Sequence, residues 1–412
     1  MIEKEYLTMK NLPIRISALA LCAAFTLSAC GARLLSPKDT APSASNSSGS
    51  SRVSTAASHA AQSLAVSLGN RTVQVKTGDV PLFTAKSDDQ LPDLSTAPTG
   101  TTYSVLYDAT PVFEGNADEQ FIPACNGLFR YIVKVPNEDT YLFDMDCDFP
   151  AKLTAAASIK QGETLRICIS HAEGIELTAQ SDIGFVPQFF SNATPDHTKE
   201  QIALLPIRYT ASPGVYTVTV QAGGQTLTHS FTVQQQDFDV QYMTMPQSTA
   251  AETALSAQAN AEWNEKIEPL KLISDPAQYW ENPFQQPTFG PISTQFGSIR
   301  YTNDDPTPTR HNGTDIAAAR GSVVSAANNG RVLFAGYLQL TGNTVIIEHG
   351  FGLKSWYYHM DSLNVKTGDT VKKGDQIGAV GSTGYSTGPH LHFALSVNNV
   401  FVNPWTAVND GI

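Results

Sequence analysis

Between residues 65 and 238, hydrophobic positions recur in short runs that favour β-strands. The runs are rich in Val, Ile, Thr, Tyr and Phe, and turn-forming residues separate them, as is typical of strands joined by short loops. Clear examples are Val73–Val75, Phe129–Val135, Thr164–Ile169 and Val215–Val220. This spacing predicts an immunoglobulin-like β-sandwich at residues 156–238, preceded by a small β region at residues 65–155.

One pair of these runs carries the pattern of a hairpin. The runs Val215–Val220 and Leu227–Val233 alternate apolar and polar positions and are joined through Gly223 and Gly224. Because side chains alternate across a strand, this pattern predicts two paired strands with one buried face.

The hydrophobic period changes to about four between Thr249 and Glu268, which predicts one helix. Its apolar face would consist of Leu255, Ala259, Trp263 and Ile267. Thr249 and Glu252 fit a capping box at its start, and we expect Pro269 to end it. With the proline-rich stretch that follows, this helix forms a predicted connector at residues 239–290, after which a second β-rich block begins.

The amino-terminal residues have the composition of an export signal. Lys10 and Arg15 supply a positive end, and the apolar run Ile16–Leu27 is too short to span a bilayer comfortably. We therefore expect residues 1–29 to be a signal peptide that is removed.

The end of this signal, Leu27–Gly31, resembles the bacterial lipobox. The resemblance implies cleavage before Cys30 and attachment of lipid to its thiol, and several acyl chains together anchor a protein stably. We expect an exported protein that is lipid-anchored at the bacterial cell membrane and faces the cell wall. Residues 30–64, rich in Ser and Ala, are predicted to be a flexible linker. The alternative is an ordinary signal peptide in which Cys30 has no role.

Composition limits the number of domains, the kinds of partner and the disulfides that this chain can have. The chain has 412 residues, of which 41% are hydrophobic, enough for several folded domains. Its net charge of −12 argues against nucleic acid as a partner, because that binding needs basic surfaces. Beyond Cys30 the sequence has Cys125, Cys147 and Cys168, so at most one internal disulfide can form. Pairing of Cys125 with Cys147 and three buried thiols are both open.

Five of the nine histidines lie after residue 310, and their spacing suggests a metal site. His311 and Asp315 are four residues apart, and His359 ends an apolar run. His390 and His392 share one face of a predicted strand through its two-residue period. A catalytic zinc site typically has three protein ligands and a fourth position for water.

These segments, in this order, resemble the lysostaphin-like (LytM-type) family of peptidoglycan zinc endopeptidases over about residues 297–405. The resemblance implies an antiparallel β-sheet metallopeptidase domain, which we place at residues 291–412, with its site in a groove between loops. The whole chain is thus predicted to be mainly all-β, with one connecting helix. Four stretches carry the resemblance: Arg310–Ala319, Asn343–Gly350, Tyr358–Met360 and Gly381–Phe393.

The resemblance also implies the roles of individual residues. One zinc ion per catalytic domain would be bound by His311, Asp315 and His392, with His359 and His390 beside it as the catalytic pair. In such sites the metal lowers the pKa of its water, one histidine takes and returns a proton, and the other stabilises the oxyanion. Which histidine does which stays open.

Two further positions near these residues, 394 and 349, receive no metal-binding or catalytic role. Ala394 departs from the family, since many relatives carry Glu there, and the position points the same way along the strand as His390 and His392. A supporting role for that Glu would be absent in this chain. We interpret His349 as structural.

The predicted function is a zinc metallo-endopeptidase that hydrolyses peptidoglycan stem peptides or cross-bridges. A glycosidase would need two working carboxylates, and no such pair is evident. The alternative is a non-catalytic wall-binding or hydrolase-activating module, although members of that kind usually lack several of the five residues present here. Two further points are open: the β region could recognise wall polymer or a partner, and the helix at residues 249–268 could cover the groove.

Overall fold

The computed structural model describes residues 62–123, 125–193, 199–254 and 256–412. Strands dominate this part of the chain, which confirms the prediction of a mainly all-β protein. The predicted signal peptide, Cys30 and nearly all of the linker at residues 30–64 lie outside the described residues. Among the helices that are described, none has the length and hydropathy required to cross a membrane.

The first β region consists of two sheets. Their orders are β2-β1-β4 and β3-β8-β7-β5-β6. Aromatic side chains fill the core, where the rings of Tyr131 and Phe143 stack with centroids 4.8 Å apart. The strands are β1 (Ser63–Leu68), β2 (Arg71–Lys76), β3 (Leu82–Ala85), β4 (Pro92–Asp93), β5 (Thr102–Tyr107), β6 (Thr110–Asn116), β7 (Gly127–Lys134) and β8 (Thr140–Cys147).

Two four-stranded sheets form the sandwich that follows. The strands are β9 (Lys152–Ala155), β10 (Ser158–Lys160), β11 (Thr164–Ser170), β12 (Leu177–Ser181), β13 (Phe190–Ala193), β14 (Lys199–Pro206), β15 (Gly214–Ala222) and β16 (Gln225–Gln234). Their orders are β10-β16-β15-β12 and β13-β14-β11-β9. The predicted hairpin is β15–β16, which turns at Gly223, where φ is +57°. Since β9 pairs with β11, it lies in the sandwich and not in the preceding region.

Strand β14 is buried on both faces. Ala203 and Leu205 point into the sandwich core, whereas Ile202 and Leu204 belong to the core of the carboxyl-terminal domain. The ring of Phe190 stacks there on Phe351 at 4.8 Å. The sandwich and the carboxyl-terminal domain therefore share one packed interface.

The connector differs from its prediction. It contains strand β17 (Val240–Met243) and three short helices, α1 (Gln247–Glu252), α2 (Ala257–Lys266) and α3 (Glu268–Lys271). The prediction of a single helix between Thr249 and Glu268 is therefore wrong.

Helix capping explains why the segment predicted as one helix is divided into several. The hydroxyl of Ser256 accepts a hydrogen bond from the amide of Ala259 at 3.2 Å and so starts a new helix. Thr249 lies inside α1 and does not cap it. Pro269 lies in the first turn of α3, where its missing N–H is tolerated. Of the predicted apolar face, Ala259 and Ile267 are buried, and Leu255 lies outside the described residues.

The described part of the chain contains three cysteines. Cys125 and Cys147 are buried in the first core, and Cys168 is half-buried. The described residues contain no disulfide, so the Cys125–Cys147 bond that the sequence left open is not formed in this structure.

An antiparallel sheet of order β18-β21-β29-β25-β24-β23-β27 forms the carboxyl-terminal domain, with β30 beside β29. Smaller sheets, β17-β19-β20 and β22-β28-β26, flank it. The elements are β18 (Ile292–Thr294), β19 (Ile299–Thr302), β20 (Thr309–Arg310), β21 (Thr314–Ala317), β22 (Val323–Ser325), β23 (Gly330–Leu338), β24 (Gly342–Gly350), β25 (Leu353–Met360), β26 (Ser362–Leu363), β27 (Thr370–Val371), β28 (Gln376–Ala379), β29 (His390–Val397), β30 (Val400–Val402) and α4 (Pro404–Asn409).

A buried ion pair fastens the connector to this sheet. The ammonium of Lys354 lies 3.2 Å from the carboxylate of Glu348, and both side chains are fully buried. Lys354 also donates to the carbonyl of Ile273, and Glu348 accepts from the amide of Asp275 at 3.0 Å. Burial raises the pKa of Glu348 and lowers that of Lys354, so each charge depends on the other.

Candidate metal centre

Three neighbouring strands bring the predicted site residues together. In the antiparallel pair β21–β29, Asp315 lies opposite His392, and Ala317 lies opposite His390. Strand β25, which ends near His359, pairs with β29 on its other side. The chain reaches β21 from His311 through Gly313, where a Cβ atom would lie 2.6 Å from His392 Nε2. A glycine is therefore required for this close approach.

Three of these side chains converge on one point. His311 Nε2 lies 3.0 Å from Asp315 Oδ1 and 2.9 Å from His392 Nδ1. The third side of the triangle, from His392 Nδ1 to Asp315 Oδ1, is 2.9 Å. Each atom can offer a lone pair, and these separations allow one cation to contact all three at the distance of about 2.0 to 2.2 Å that is typical of zinc. The donor set thus fits the metal that the family resemblance implies.

Hydrogen bonding and burial favour the ligating form of each group. His311 Nδ1 donates to the carbonyl of Gln295 at 3.0 Å, which leaves the lone pair on Nε2. Burial lowers the pKa of His392 to about 4, so its imidazole is neutral near pH 7. Burial alone would raise the pKa of Asp315, but its close contacts with the imidazoles of His311 and His392 outweigh burial and hold that pKa well below its usual range.

His359 and His390 form a second pair beside this triangle. Their ring centroids are 4.8 Å apart, and His390 Nε2 lies 3.8 Å from Asp315 Oδ1. Each Nδ1 lies 2.8 Å from a backbone carbonyl, that of Thr383 for His359 and that of Gly388 for His390. Each Nδ1 therefore carries the proton, and each Nε2 is left as an acceptor.

Burial, together with the neighbouring His390 and His392, lowers the pKa of His359 to about 3. His359 also has a positive φ of +63°, a conformation that is uncommon for a residue other than glycine. The surrounding structure imposes this strained, neutral state, and such strain is common at active sites.

An aromatic ring packs against His392 of β29. Tyr358 stacks on His392 with ring centroids 4.9 Å apart and an interplanar angle of 3°. Its hydroxyl and His392 Nε2 are both buried without a hydrogen-bond partner among the described residues. Ala394 is fully buried in the apolar cluster that also contains Trp356 and Tyr358, so no side chain at position 394 reaches toward these polar atoms.

A groove of about 830 Å³ contains the five predicted residues. Its walls also include Gln241 and Tyr242 of the connector strand β17 and Trp263 of α2. Among its described lining residues, Asp315 is the only carboxylate. The arrangement can hold one cation and move a proton, but it lacks the two carboxylates of a glycosidase.

Sequence reasoning missed two residues of the site, Arg300 and Tyr358. Arg300 donates to Asp315 Oδ2 at 2.6 Å. Nothing in the local sequence marks Arg300, because its contact depends on strand packing. Tyr358 lies in Tyr358–Met360, one of the four stretches that carry the family resemblance, and this position in the sequence could have pointed to it. His349 has a structural role, as we expected: it is fully buried and bonded to Asn329 and Ser355.

Residues 309–404 match the model of Peptidase family M23. The peptidoglycan DD-endopeptidase ShyC of Vibrio cholerae is 44% identical over 96 residues, which cover 23% of this chain and 22% of the relative. Lysostaphin of Staphylococcus simulans is 44% identical over 91 residues, which cover 22% of this chain and 18% of the relative. The matched stretch thus spans about a fifth of the length of these curated relatives.

Solved structures give similar matches. A chain from Pseudomonas aeruginosa described as a peptidase M23 is 24% identical, with a TM-score of 0.43, over 57% of this chain and 88% of that one. The catalytic domain of lysostaphin from Staphylococcus simulans is 34% identical, with a TM-score of 0.26, over 28% of this chain and 90% of that one.

Proposed function

We propose that this chain, which carries a carboxyl-terminal domain of peptidase family M23, is a zinc metallo-endopeptidase that hydrolyses peptide bonds in peptidoglycan. The observation that carries the proposal is the convergence of His311, Asp315 and His392 on one point, with His359 and His390 beside it. All five residues of the predicted constellation lie in one groove.

His311, Asp315 and His392 would hold the zinc ion, which when bound supplies a water of lowered pKa. The Nε2 atom of His359 or His390 accepts the proton of the attacking water and later returns it to the leaving amine. The other histidine would first take a proton from solvent at Nε2 and then donate a hydrogen bond to the carbonyl oxygen as negative charge develops there. The buried setting of His359 keeps its imidazole neutral near pH 7, so its Nε2 carries no proton before the reaction.

The substrate class follows from the groove and from the relatives. The groove is open and has a single carboxylate among its described lining residues, which suits an extended peptide better than a sugar ring. ShyC is named a peptidoglycan DD-endopeptidase. We extend that substrate class, stem peptides or cross-bridges, to this chain.

The test is digestion of purified peptidoglycan by the full chain, with released peptides read by mass spectrometry. We expect new peptide termini that disappear with a chelator, return with added zinc and are absent for His311→Ala. His229→Ala is the matched control, because His229 lies on the sandwich strand β16 and bonds the carbonyl of Ala156. Intact peptides from several wall types, despite one bound zinc per chain, would instead support a non-catalytic wall-binding or hydrolase-activating module.

We also propose that lipid on Cys30 anchors the chain to the membrane, facing the cell wall. The proposal rests on the likeness of Leu27–Gly31 to a lipobox. Fractionation of cells that express Cys30→Ser checks it: the variant should leave the membrane fraction. A variant that stays in that fraction to the same extent as the unsubstituted chain would overturn the anchor without affecting the proposed peptidase.

A further inference from the structure

The two oxygens of Asp315 have different partners. Oδ1 faces His311 and His392 at 3.0 and 2.9 Å, whereas Oδ2 accepts a hydrogen bond from Arg300 Nη2 at 2.6 Å. The terminal torsion of a carboxylate is broad, so the side chain does not fix its own orientation. The contact of Arg300 with one oxygen therefore fixes this torsion and holds the other oxygen toward the imidazoles.

Arg300 is itself held by the connector. Its Nε donates to Gln241 Oε1 at 3.2 Å, and Gln241 Nε2 donates to Thr294 Oγ1 at 3.2 Å. Each end of the Gln241 amide is thus engaged. Because the guanidinium is planar, fixing Nε with Gln241 also fixes the direction in which Nη2 points at Asp315.

Strand pairing builds this chain of contacts. In the parallel pair β17–β19, Gln241 lies opposite Arg300. In the pair β18–β21, Thr294 lies opposite Asp315. Backbone register therefore sets two pairs in two separate sheets, and the side-chain hydrogen bonds of Gln241 and Arg300 join one pair to the other.

Partial burial strengthens the contact between Arg300 and Asp315. The side chain of Arg300 is 19% exposed and that of Asp315 is 10% exposed. A charge-assisted hydrogen bond in such a partly buried site is screened less than an exposed one. Both Arg300 and Gln241 line the groove of the proposed active site.

We infer that Arg300 and Gln241 are positioning residues of the metal centre: Gln241 holds Arg300, and Arg300 turns Asp315 so that Oδ1 faces His311 and His392. The inference rests on the proposed function, because zinc is its premise. Gln241 and Arg300 lie outside the matched residues 309–404. Part of the metal centre thus comes from the connector strand β17, which precedes the peptidase match.

The experiment measures the zinc dissociation constant of the full chain by competition with a chromogenic chelator. Partners that orient a metal ligand are typically worth about 10- to 100-fold in affinity, and we expect a loss of that size for Arg300→Met. Gln241→Leu should lose less than about tenfold, because it acts one contact further away. In the Arg300→Met background, Gln241→Leu should change nothing more, because its effect passes through Arg300.

Two matched controls separate this role from general effects on charge or fold. Arg320→Met removes an arginine whose side chain is 61% exposed and pairs with Asp361, and Gln236→Leu removes a glutamine just after β16 that bonds the carbonyl of Asp237. Both should bind zinc as the unsubstituted chain does. The melting temperature of the metal-free chain is measured alongside, because a merely structural role would lower it without changing zinc affinity.

A conservative variant keeps the test decisive if Arg300→Met fails to fold. Lysine has one nitrogen and can contact Asp315 or Gln241 but not both, so Arg300→Lys should bind zinc with intermediate affinity. If the unsubstituted chain binds zinc and the Arg300 variants stay within about twofold of Arg320→Met, the inference is wrong and the proposed function stands. If the unsubstituted chain binds no zinc, both are overturned.

Discussion

The first β region and its sandwich resemble the carboxyl-terminal domain in being built from mainly antiparallel sheets, but the two parts bury different groups. Of the buried polar and charged residues in the described part of the chain, fifteen lie in residues 291–412 and two, Thr101 and His171, lie in residues 62–238. Burying a polar group is costly unless it is bonded. The difference therefore marks the domain whose interior is organised around specific polar contacts.

The buried polar groups of the carboxyl-terminal domain serve two purposes. His311, Asp315 and His392 converge on the candidate metal site. Glu348 and Lys354 instead pair with each other away from the groove and fasten the connector to the sheet. Burial by itself does not separate these roles, so the predictions below compare buried groups of each kind with counterparts in the sandwich and the first region.

The largest effect is expected for His359→Ala. Losing a general acid-base group typically lowers kcat by about 10² to 10⁴-fold, and zinc affinity should change little because His359 is not in the ligand triangle. The measurement is the rate of peptidoglycan cleavage together with zinc titration. His171→Ala is the counterpart in the sandwich: this buried histidine contacts the carbonyl of Pro123. It should lower stability and leave kcat unchanged, and an equal loss of kcat in both variants would contradict the comparison.

Lys354→Met should lower the free energy of unfolding by about 3 to 5 kcal/mol, because it leaves the Glu348 carboxylate buried without its cation. Chemical denaturation of the full chain measures this. The double variant Glu348→Leu/Lys354→Met should recover much of the loss. In the first β region, Arg130→Met removes an exposed partner of Asp144 and should leave the denaturation midpoint unchanged. Equal shifts for Lys354→Met and Arg130→Met would show that burial does not distinguish the two regions.

The pH dependence of stability provides a third test, in the metal-free chain. Burial lowers the pKa of His349 from 6.5 to about 4, so this histidine is neutral in the folded chain while its unfolded form takes up a proton. Stability is therefore complete above about pH 6.5 and falls as the pH drops toward about 4, by on the order of 3 kcal/mol.

The variant for this test is His349→Gln. His359 and His392 also have lowered pKa values, so the substitution should reduce the slope of stability against pH but not abolish it. The half-buried His229 on β16 is the control, and His229→Gln should keep the full slope. An unchanged slope for His349→Gln, measured by denaturation at several pH values, would show that this buried histidine does not couple folding to pH.

The sequence predicted the five residues of the candidate site because their signals are local. His311 and Asp315 lie four residues apart, and His390 and His392 share a strand face, so short stretches carry the pattern. The link from Gln241 to Arg300 could not be predicted in this way. It depends on the parallel pairing of β17 with β19, which joins residues far apart in the chain.

Two features of the fold escaped prediction for related reasons. A period of four predicts a helical face, but it does not report that Ser256 caps a second helix and interrupts the first. The continuous apolar run Ile202–Leu205 in β14 is compatible with burial on both faces, but it does not report that Ile202 and Leu204 pack against another domain. In both cases a competing contact outside the repeating pattern decided the structure.

The smallest expected effect is a loss of stability in Ser256→Ala. It tests whether polar contacts near the carboxyl-terminal domain stabilise the chain because they are buried or only because they belong to that domain. Ser256→Ala removes the cap of α2, a helix that packs on the carboxyl-terminal domain through Trp263 and Trp356. The loss should be about 1 kcal/mol, typical of a cap near the surface, and Thr249→Ala inside α1 should lose less. Thermal denaturation of the two variants measures the difference. A loss for Ser256→Ala as large as that for Lys354→Met would mean that any polar contact of this domain, buried or not, carries its stability.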